Sequence, residues 1–216
     1  MNIAEMKPLI LVGGGGHCKS VIDVAESAGY VIEGILDRPE EVGKTVLGYE
    51  VIGTDDDMVK YAETAVFIVT VGQIKSPELR IKLHRMLDEL RCHLATIIAP
   101  TAFVSKHAVI GEGSVIMHHA FVSADSKVGK GCIINTASTI EHEAVIGNYC
   151  HISTGAVVNG AAIIGDESFV GSKSVINQCV TIGKRVVIGA GSVVITDLPD
   201  NSIAVGVPAK PINKTR

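Results

Sequence analysis

The chain reads as two architectures in series. Residues 1–98 predict a small, Rossmann-like, mostly parallel α/β domain, residues 99–197 a three-sided coil of short parallel strands, and residues 198–216 a tail. Three observations predict this. Residues 8–98 alternate strand and helix signals. From Ile98, aliphatic residues recur at every sixth position without a slip as far as Val194. Hydrophobic residues make up 47% of the chain but aromatics only 4%, with no tryptophan, so the core must be built from Ile, Val, Ala and other small side chains, which suits stacked strands.

"PLILV" (8–12) is a buried strand, and "HCKSVIDVAESAGY" sets Val21, Ile22, Val24, Ala25 and Ala28 at helical spacing before Gly29. "YVIEGILD" is a second strand. After a turn-rich stretch, Asp55–Ala62 reads as a short helix and "AVFIVTVG" as a third central strand. "SPELRIKLHRMLDELR" is an amphipathic helix with Ser76 as N-cap and Pro77 in its first turn. "CHLATII" closes the unit.

In the second half, the residue four places after almost every aliphatic is small or β-branched, as at Ser114, Ala120, Cys132 and Ala144. Glycine follows the aliphatic directly at Gly111, Gly129, Gly147, Gly165 and Gly183, a spacing of eighteen. A six-residue period nested in an eighteen-residue one means three flats per coil, a triangular cross-section, and glycine relieving one corner. Successive coils pair as parallel strands ~4.8 Å apart, and the narrow shaft excludes aromatics.

Several classes fall away. A net charge of -4 leaves no basic footprint for nucleic acid or an anionic membrane. No apolar run nears the ~20 residues that span a bilayer, and the opening residues lack a signal-peptide pattern. Five cysteines, an odd number at irregular spacing, point to reduced thiols and a cytoplasmic setting. No His and Cys set has zinc-ligand spacing, so no metal is expected. The glycine-rich turn 13–16 could serve a dinucleotide oxidoreductase, but position 18, where the fingerprint wants glycine, is Cys18, and ~95 residues are short for that fold. The same turn follows a strand and opens a helix, so its amides can face a phosphate, with Asp37 placed to meet a ribose or base.

Counting modulo eighteen places the polar residues of the coil. His142, flanked by Glu141 and Glu143, shares its position with Gly160 one coil on, and no cysteine joins that stripe. Asn135, His118, His151, Ser172 and Ala190 fall near a different corner. The two stripes face apart in one chain. A threefold homo-oligomer would bring them together across a cleft between copies. Either neighbouring carboxylate could hold the His142 tautomer.

"GGGGHCKSVIDVA", "NTASTIEHEAVIGNYCHIS" and "VGVPAK" together give the chain a resemblance, along nearly its whole length, to bacterial nucleotide-sugar N-acetyltransferases of the left-handed parallel β-helix, hexapeptide-repeat class. Sialic acid O-acetyltransferases are similar. The resemblance implies a homotrimer that moves the acetyl group of acetyl-CoA to the amine of a UDP-linked 4-amino-4,6-dideoxy sugar, without an acyl-enzyme; O-acetylation of a sialic acid-type hydroxyl is the alternative. It implies His142 as general base, Glu143 tuning it, and Asn135 near the reacting centre. It implies His151, Gly160, Ser172 and Ala190 along the acetyl-CoA channel, the oxyanion meeting a backbone N–H or His151. It implies Gly15, Gly16, His17, Asp37, Arg38 and Gly72 at the nucleotide-sugar. Arg38 departs from the acidic residue expected in the nearest relatives, and His118 and His119 are given no role.

Overall fold

A computed structural model describes residues 7–74 and 76–212. It separates into two compact units, one holding the chain to Gly72 with Glu78–Ile97, the other holding Gln73–Pro77 and the chain from Ile98.

The first unit runs β1 (Leu9–Val12), α1 (Gly16–Ser27), β2 (Ile32–Leu36), β3 (Thr45–Val46), β4 (Tyr49–Gly53), α2 (Met58–Tyr61), β5 (Val66–Val69), α3 (Glu78–Glu89) and β6 (His93–Leu94). The sheet order is β3-β4-β2-β1-β5-β6, parallel except for the β3–β4 pair. Every residue of β1 is fully buried, as a central parallel strand covered on both faces requires. The β3–β4 hairpin occupies the stretch expected only to be turn-rich. Its two-residue loop is Leu47-Gly48, both at positive φ (+50° and +90°). That is the backbone of a tight hairpin turn, but leucine in the first place hides the usual Asn-Gly or Asp-Gly signal. Ser76 and Pro77 stand immediately before α3, whose helical hydrogen bonding begins at Glu78.

The second unit is the coil. Three sheets of eight, six and five strands form its flats, all parallel but for the last strand of the eight, and within the coils each strand pairs with the one eighteen residues on, as Ile133–Ile134 does with His151–Ile152. From Ile116 to Val194 the sixfold aliphatic positions are buried to 3% exposure or less, whereas Ile98, with no coil beneath it, is 38% exposed. Each such side chain contributes roughly 1.5–3 kcal/mol by leaving water.

The corners are made differently from the expectation that glycine relieves one of them. The residue three places after each aliphatic has positive φ at fourteen successive corners, from Gly113 to Gly191, and ten of these residues are not glycine. A left-handed conformation costs an L-residue about 1–2 kcal/mol. What it gains is a reversed amide. Strand residues donate to the coil ahead, as Phe121 N–H does to Ser138 O (2.9 Å), while corner residues donate to the coil behind, as Ala161 N–H does to His142 O (2.9 Å). Each coil is therefore bonded in both directions. The glycines spaced by eighteen are not among the positive-φ residues. They are needed because the neighbouring coil lies too close for a Cβ: one on Gly165 would stand 2.6 Å from the carbonyl carbon of Gly183.

The small inward residues also bond. Ser114, Cys132, Cys150 and Ser168 direct their hydroxyl or thiol at the carbonyls of Gly129, Gly147, Gly165 and Gly183, at 2.9, 3.0, 3.2 and 2.9 Å. Residues expected as a tail instead form an antiparallel pair, Ile203–Gly206 with Ala209–Ile212, which supplies the last two strands of the eight-stranded sheet. Among the described residues no helix is long and apolar enough to cross a membrane.

Two outcomes test this account. Gly165→Ala should destabilise the protein by roughly 1–3 kcal/mol through overpacking. Ala137→Gly, at a corner where φ is +55°, should stay within about 1 kcal/mol of the parent; urea unfolding measures both, and an unaffected Gly165→Ala would discard the close-approach explanation. Burial, chiefly, moves the Cys18 thiol of α1 from its ordinary 9.0 up to about 11. The unfolded chain thus releases this proton first, so stability falls as pH rises from 9 to about 11, by roughly 2–3 kcal/mol. Cys150, also raised by burial, acts in the same sense, so Cys18→Ala should make the decline shallower without abolishing it.

Candidate functional site

The six-stranded flat of the coil separates two corners, which carry the two sets of candidate residues. Beyond it lies the corner Glu141–Ala144, a β-turn closed by Ala144 N–H to Glu141 O at 3.2 Å. His142 is the second turn residue, and Glu143, at φ +62°, is the third, the type II pattern. This backbone sends both side chains outward: that of His142 is 63% exposed, that of Glu143 61%. Their partnership is direct, Nδ1 of His142 lying 3.1 Å from Oε2 of Glu143. A carboxylate can only accept, so in the neutral ring Nδ1 carries the hydrogen and Nε2 keeps its lone pair. On the next coil Gly160 makes room for the ring, since a Cβ there would stand 2.7 Å from Cε1 and 2.8 Å from Nε2 of His142.

The corner on the near side of that flat begins at Asn135. Its Oδ1 accepts from Thr136 N–H at 2.8 Å, and its Nδ2 lies 3.0 Å from Nε2 of His151. His151, only 6% exposed, sits on the strand before the next turn, with its ring edge-on to Phe169 at 5.2 Å and its Nδ1 2.7 Å from the carbonyl oxygen of Gln73. Above them Ser172 Oγ meets Ser153 Oγ at 2.9 Å, and Ala190 is exposed. Lower on this corner, His118 Nδ1 is 2.8 Å from Thr101 Oγ1.

In the first unit, a cavity of about 290 Å³ opens over the glycine turn, lined among others by Gly15, Gly16, His17, Asp37, Arg38 and Gly72. All six residues expected at a nucleotide-sugar therefore share one pocket. Gly15 caps α1 with no side-chain bond, and at both Gly15 and Gly16 a Cβ would meet open space, so the helix N-terminus faces the cavity with its amides. Asp37 is more engaged than expected. Its Oδ2 accepts from Gly14 N–H and its Oδ1 from Arg38 N–H, both at 2.8 Å, which pins the glycine turn to the end of β2. Arg38, 69% exposed, reaches Glu40 at 3.2 Å and Glu41 at 3.6 Å.

Sequence reasoning overlooked two contributors to this pocket. Thr70 Oγ1 bonds the carbonyl oxygens of Val12 and Gly13, holding the start of the turn. Asp55 lines the cavity with its carboxyl raised above the ordinary 3.8 mainly by burial, against the pull of Lys82. Gln73, which reaches His151 from a remote segment, was also missed, because a backbone carbonyl leaves no mark in residue type.

Cys18, Cys132 and Cys150 are buried, and burial raises the pKa of Cys18 and Cys150, which disfavours a thiolate nucleophile. Cys179 is exposed on the His142 corner two coils above Glu143, ~10 Å away at the usual coil spacing. Among the described residues, no group of three or more His, Cys, Asp or Glu side chains could hold a metal ion.

Comparison with known proteins agrees with both units. The PglD N-terminal domain family matches residues 8–87, and the bacterial transferase hexapeptide family (six repeats) matches residues 161–196. The acetyltransferase domain of PglB from Neisseria gonorrhoeae, solved also with acetyl coenzyme A, is 35% identical with a TM-score of 0.88, covering 95% of this chain and 100% of that one. PerB from Caulobacter crescentus, in complex with CoA and GDP-perosamine, is 33% identical with a TM-score of 0.89, covering 95% and 97%. A histidine-to-asparagine variant of the Caulobacter perosamine N-acetyltransferase, with the same two ligands, gives 32% and 0.90, covering 96% and 97%. An uncharacterised protein of Acanthamoeba polyphaga mimivirus is 32% identical over 109 residues; the match takes in half of this chain but only 21% of that protein. A coil of left-handed parallel β-helix type behind a PglD N-terminal domain, matched end to end by the PglB and PerB structures, makes this chain a member of the PglD-type hexapeptide-repeat acetyltransferases, and so an acyltransferase.

Proposed function

We propose that the protein transfers the acetyl group of acetyl-CoA to the amine of a nucleotide-linked amino sugar, with His142 as general base. The observation that carries this reading is the His142 geometry: Nδ1 bonded to Glu143, Nε2 bare above Gly160. The amine attacks the thioester carbonyl while His142 Nε2 takes its proton, and Glu143 steadies the imidazolium. No acyl-enzyme is required. Acetyl-CoA suits the Asn135 corner, where Gly155, Gly171, Gly189, Ala190 and Gly191 keep bulky side chains off the edge. The N-terminal pocket, with its glycine turn and helix amides, takes the nucleotide. We further propose a UDP-linked 4-amino-4,6-dideoxy sugar as acceptor, on the strength of the "EHE" segment and the glycine turn; the GDP-linked form, which the Caulobacter relative holds, is the comparator for rate measurements.

Because the His142 and Asn135 corners are different edges of one coil, a site using both needs two copies. Closed threefold symmetry supplies three such sites.

His142→Ala should lower turnover by roughly 10²–10⁴ while calorimetry shows acetyl-CoA still bound. Unchanged turnover would remove His142 from the chemistry. The shared site is tested by refolding equal amounts of His142→Ala and Asn135→Ala together. If each site draws on two neighbouring copies, about one quarter of the parent activity returns; no recovery would argue against an intersubunit site.

A further inference from the structure

Resting on that reading, we infer that His118 holds the phosphate that joins the acceptor sugar to its nucleotide, donating a hydrogen from Nε2 while Thr101 fixes the ring through Nδ1. The Asn135 corner changes along its height. In the coils above Asn135 it carries Gly155, Gly171, Gly189 and Ala190, which leave an open edge for a pantetheine arm. One coil below Asn135 it carries Met117, His118 and His119 instead. With acetyl-CoA along the upper coils and its thioester level with Asn135 and His142, the acceptor amine arrives from below. In a 4-amino sugar the amine and the glycosidic oxygen stand at opposite ends of the pyranose. The phosphate therefore lies about one ring-length lower, close to the ~4.8 Å that separates successive coils. His118 is at that level.

The backbone presents the ring to the edge. Ala120 N–H closes the turn on Met117 O at 3.2 Å, and His119, the third turn residue, has φ +59°. His118 thus takes the second turn place, as His142 does in its own corner, and is half-buried there.

The two imidazoles are equipped for different work. His142 Nδ1 faces a carboxylate, which leaves Nε2 a base. His118 Nδ1 lies 2.8 Å from Thr101 Oγ1, and the same oxygen accepts the N–H of His119 at 3.3 Å. That hydroxyl still has a hydrogen to give. Given to His118 Nδ1, it leaves the neutral ring with its own hydrogen on Nε2. In the protonated ring Nδ1 donates to Thr101 instead, and Nε2 again carries a hydrogen. A phosphate oxygen only accepts, so it selects these two states, and Thr101 suits both. A fixed, half-buried donor beside an anion makes a charge-assisted bond, stronger than one between neutral groups.

The test uses the intact protein and two ligand pairs, UDP with UMP and GDP with GMP, titrated by calorimetry. Only the diphosphate of each pair carries the phosphate in question. His118→Phe keeps a ring and loses the donor. It should weaken the diphosphate that the parent binds tighter by about 10–100-fold, the worth of one hydrogen bond to a charged group, and leave its monophosphate within about twofold. His118→Gln, whose amide nitrogen stands near the place of Nε2, should recover most of that loss. Thr101→Val, matched in shape, should show part of it, again for the diphosphate alone. In turnover, His118→Phe should raise KM for the amino-sugar nucleotide, with kcat and the KM for acetyl-CoA within about threefold of the parent. An equal loss for the monophosphate, an unchanged diphosphate, His118→Gln no better than His118→Phe, or a parent that binds diphosphate no better than monophosphate would overturn the assignment. If the parent acetylates no amino-sugar nucleotide, the functional reading fails, while the difference between diphosphate and monophosphate still decides the contact.

Discussion

The reversed amide at each corner is what the coil depends on. A chain turning through three flats must change direction every six residues, and a turn made of ordinary backbone would leave its amides pointing into water. With the third turn residue left-handed, its N–H reaches back to the coil behind, as Glu143 does to Ala124 at 3.2 Å and Lys173 to Thr154 at 3.0 Å. The conformation is unfavourable for each L-residue taken singly, and it persists because the buried aliphatic of the same hexad contributes more than the turn costs. Stability is accordingly shared between neighbouring coils rather than gathered in one nucleus of large side chains.

The candidate base inherits its placement from this rule. His142 precedes a left-handed residue, so its side chain projects from the edge, and its own carbonyl is held by Ala161 on the next coil. The residue that would crowd it, one coil ahead, is glycine. Glu143 serves twice, as the strained turn residue and as the carboxylate bonded to the ring. Backbone geometry and acid–base chemistry are thus joined in two consecutive residues.

Much of this was legible in the residues, for a physical reason. A shaft that admits only aliphatic and small side chains writes its period into the sequence, so the three flats, the two corners and the pairing of His142 with Gly160 could be counted out. The left-handed residues could not be, because His119, Asp125, Tyr149 and Arg185 occupy that conformation without any shared chemistry. The role of the glycines spaced by eighteen was misjudged for a related cause: absence of a Cβ serves close approach as well as unusual φ, and residue type alone does not separate the two. The β3–β4 hairpin escaped because leucine fills a place usually taken by Asn, Asp or Gly. His151 could be placed near its corner, but its bond to Gln73 depends on a main-chain oxygen seventy-eight residues away.

The pair of strands after the last coil bears on self-association. A stack of parallel strands ends in a row of unpaired backbone groups, ready to accept a foreign chain. Here Ala209–Ile212 runs antiparallel to its neighbour, and Pro211 within it carries no N–H to offer. Along the eight-stranded flat, this last strand thus breaks both the polarity and the donor pattern by which a further parallel strand could be added at that edge.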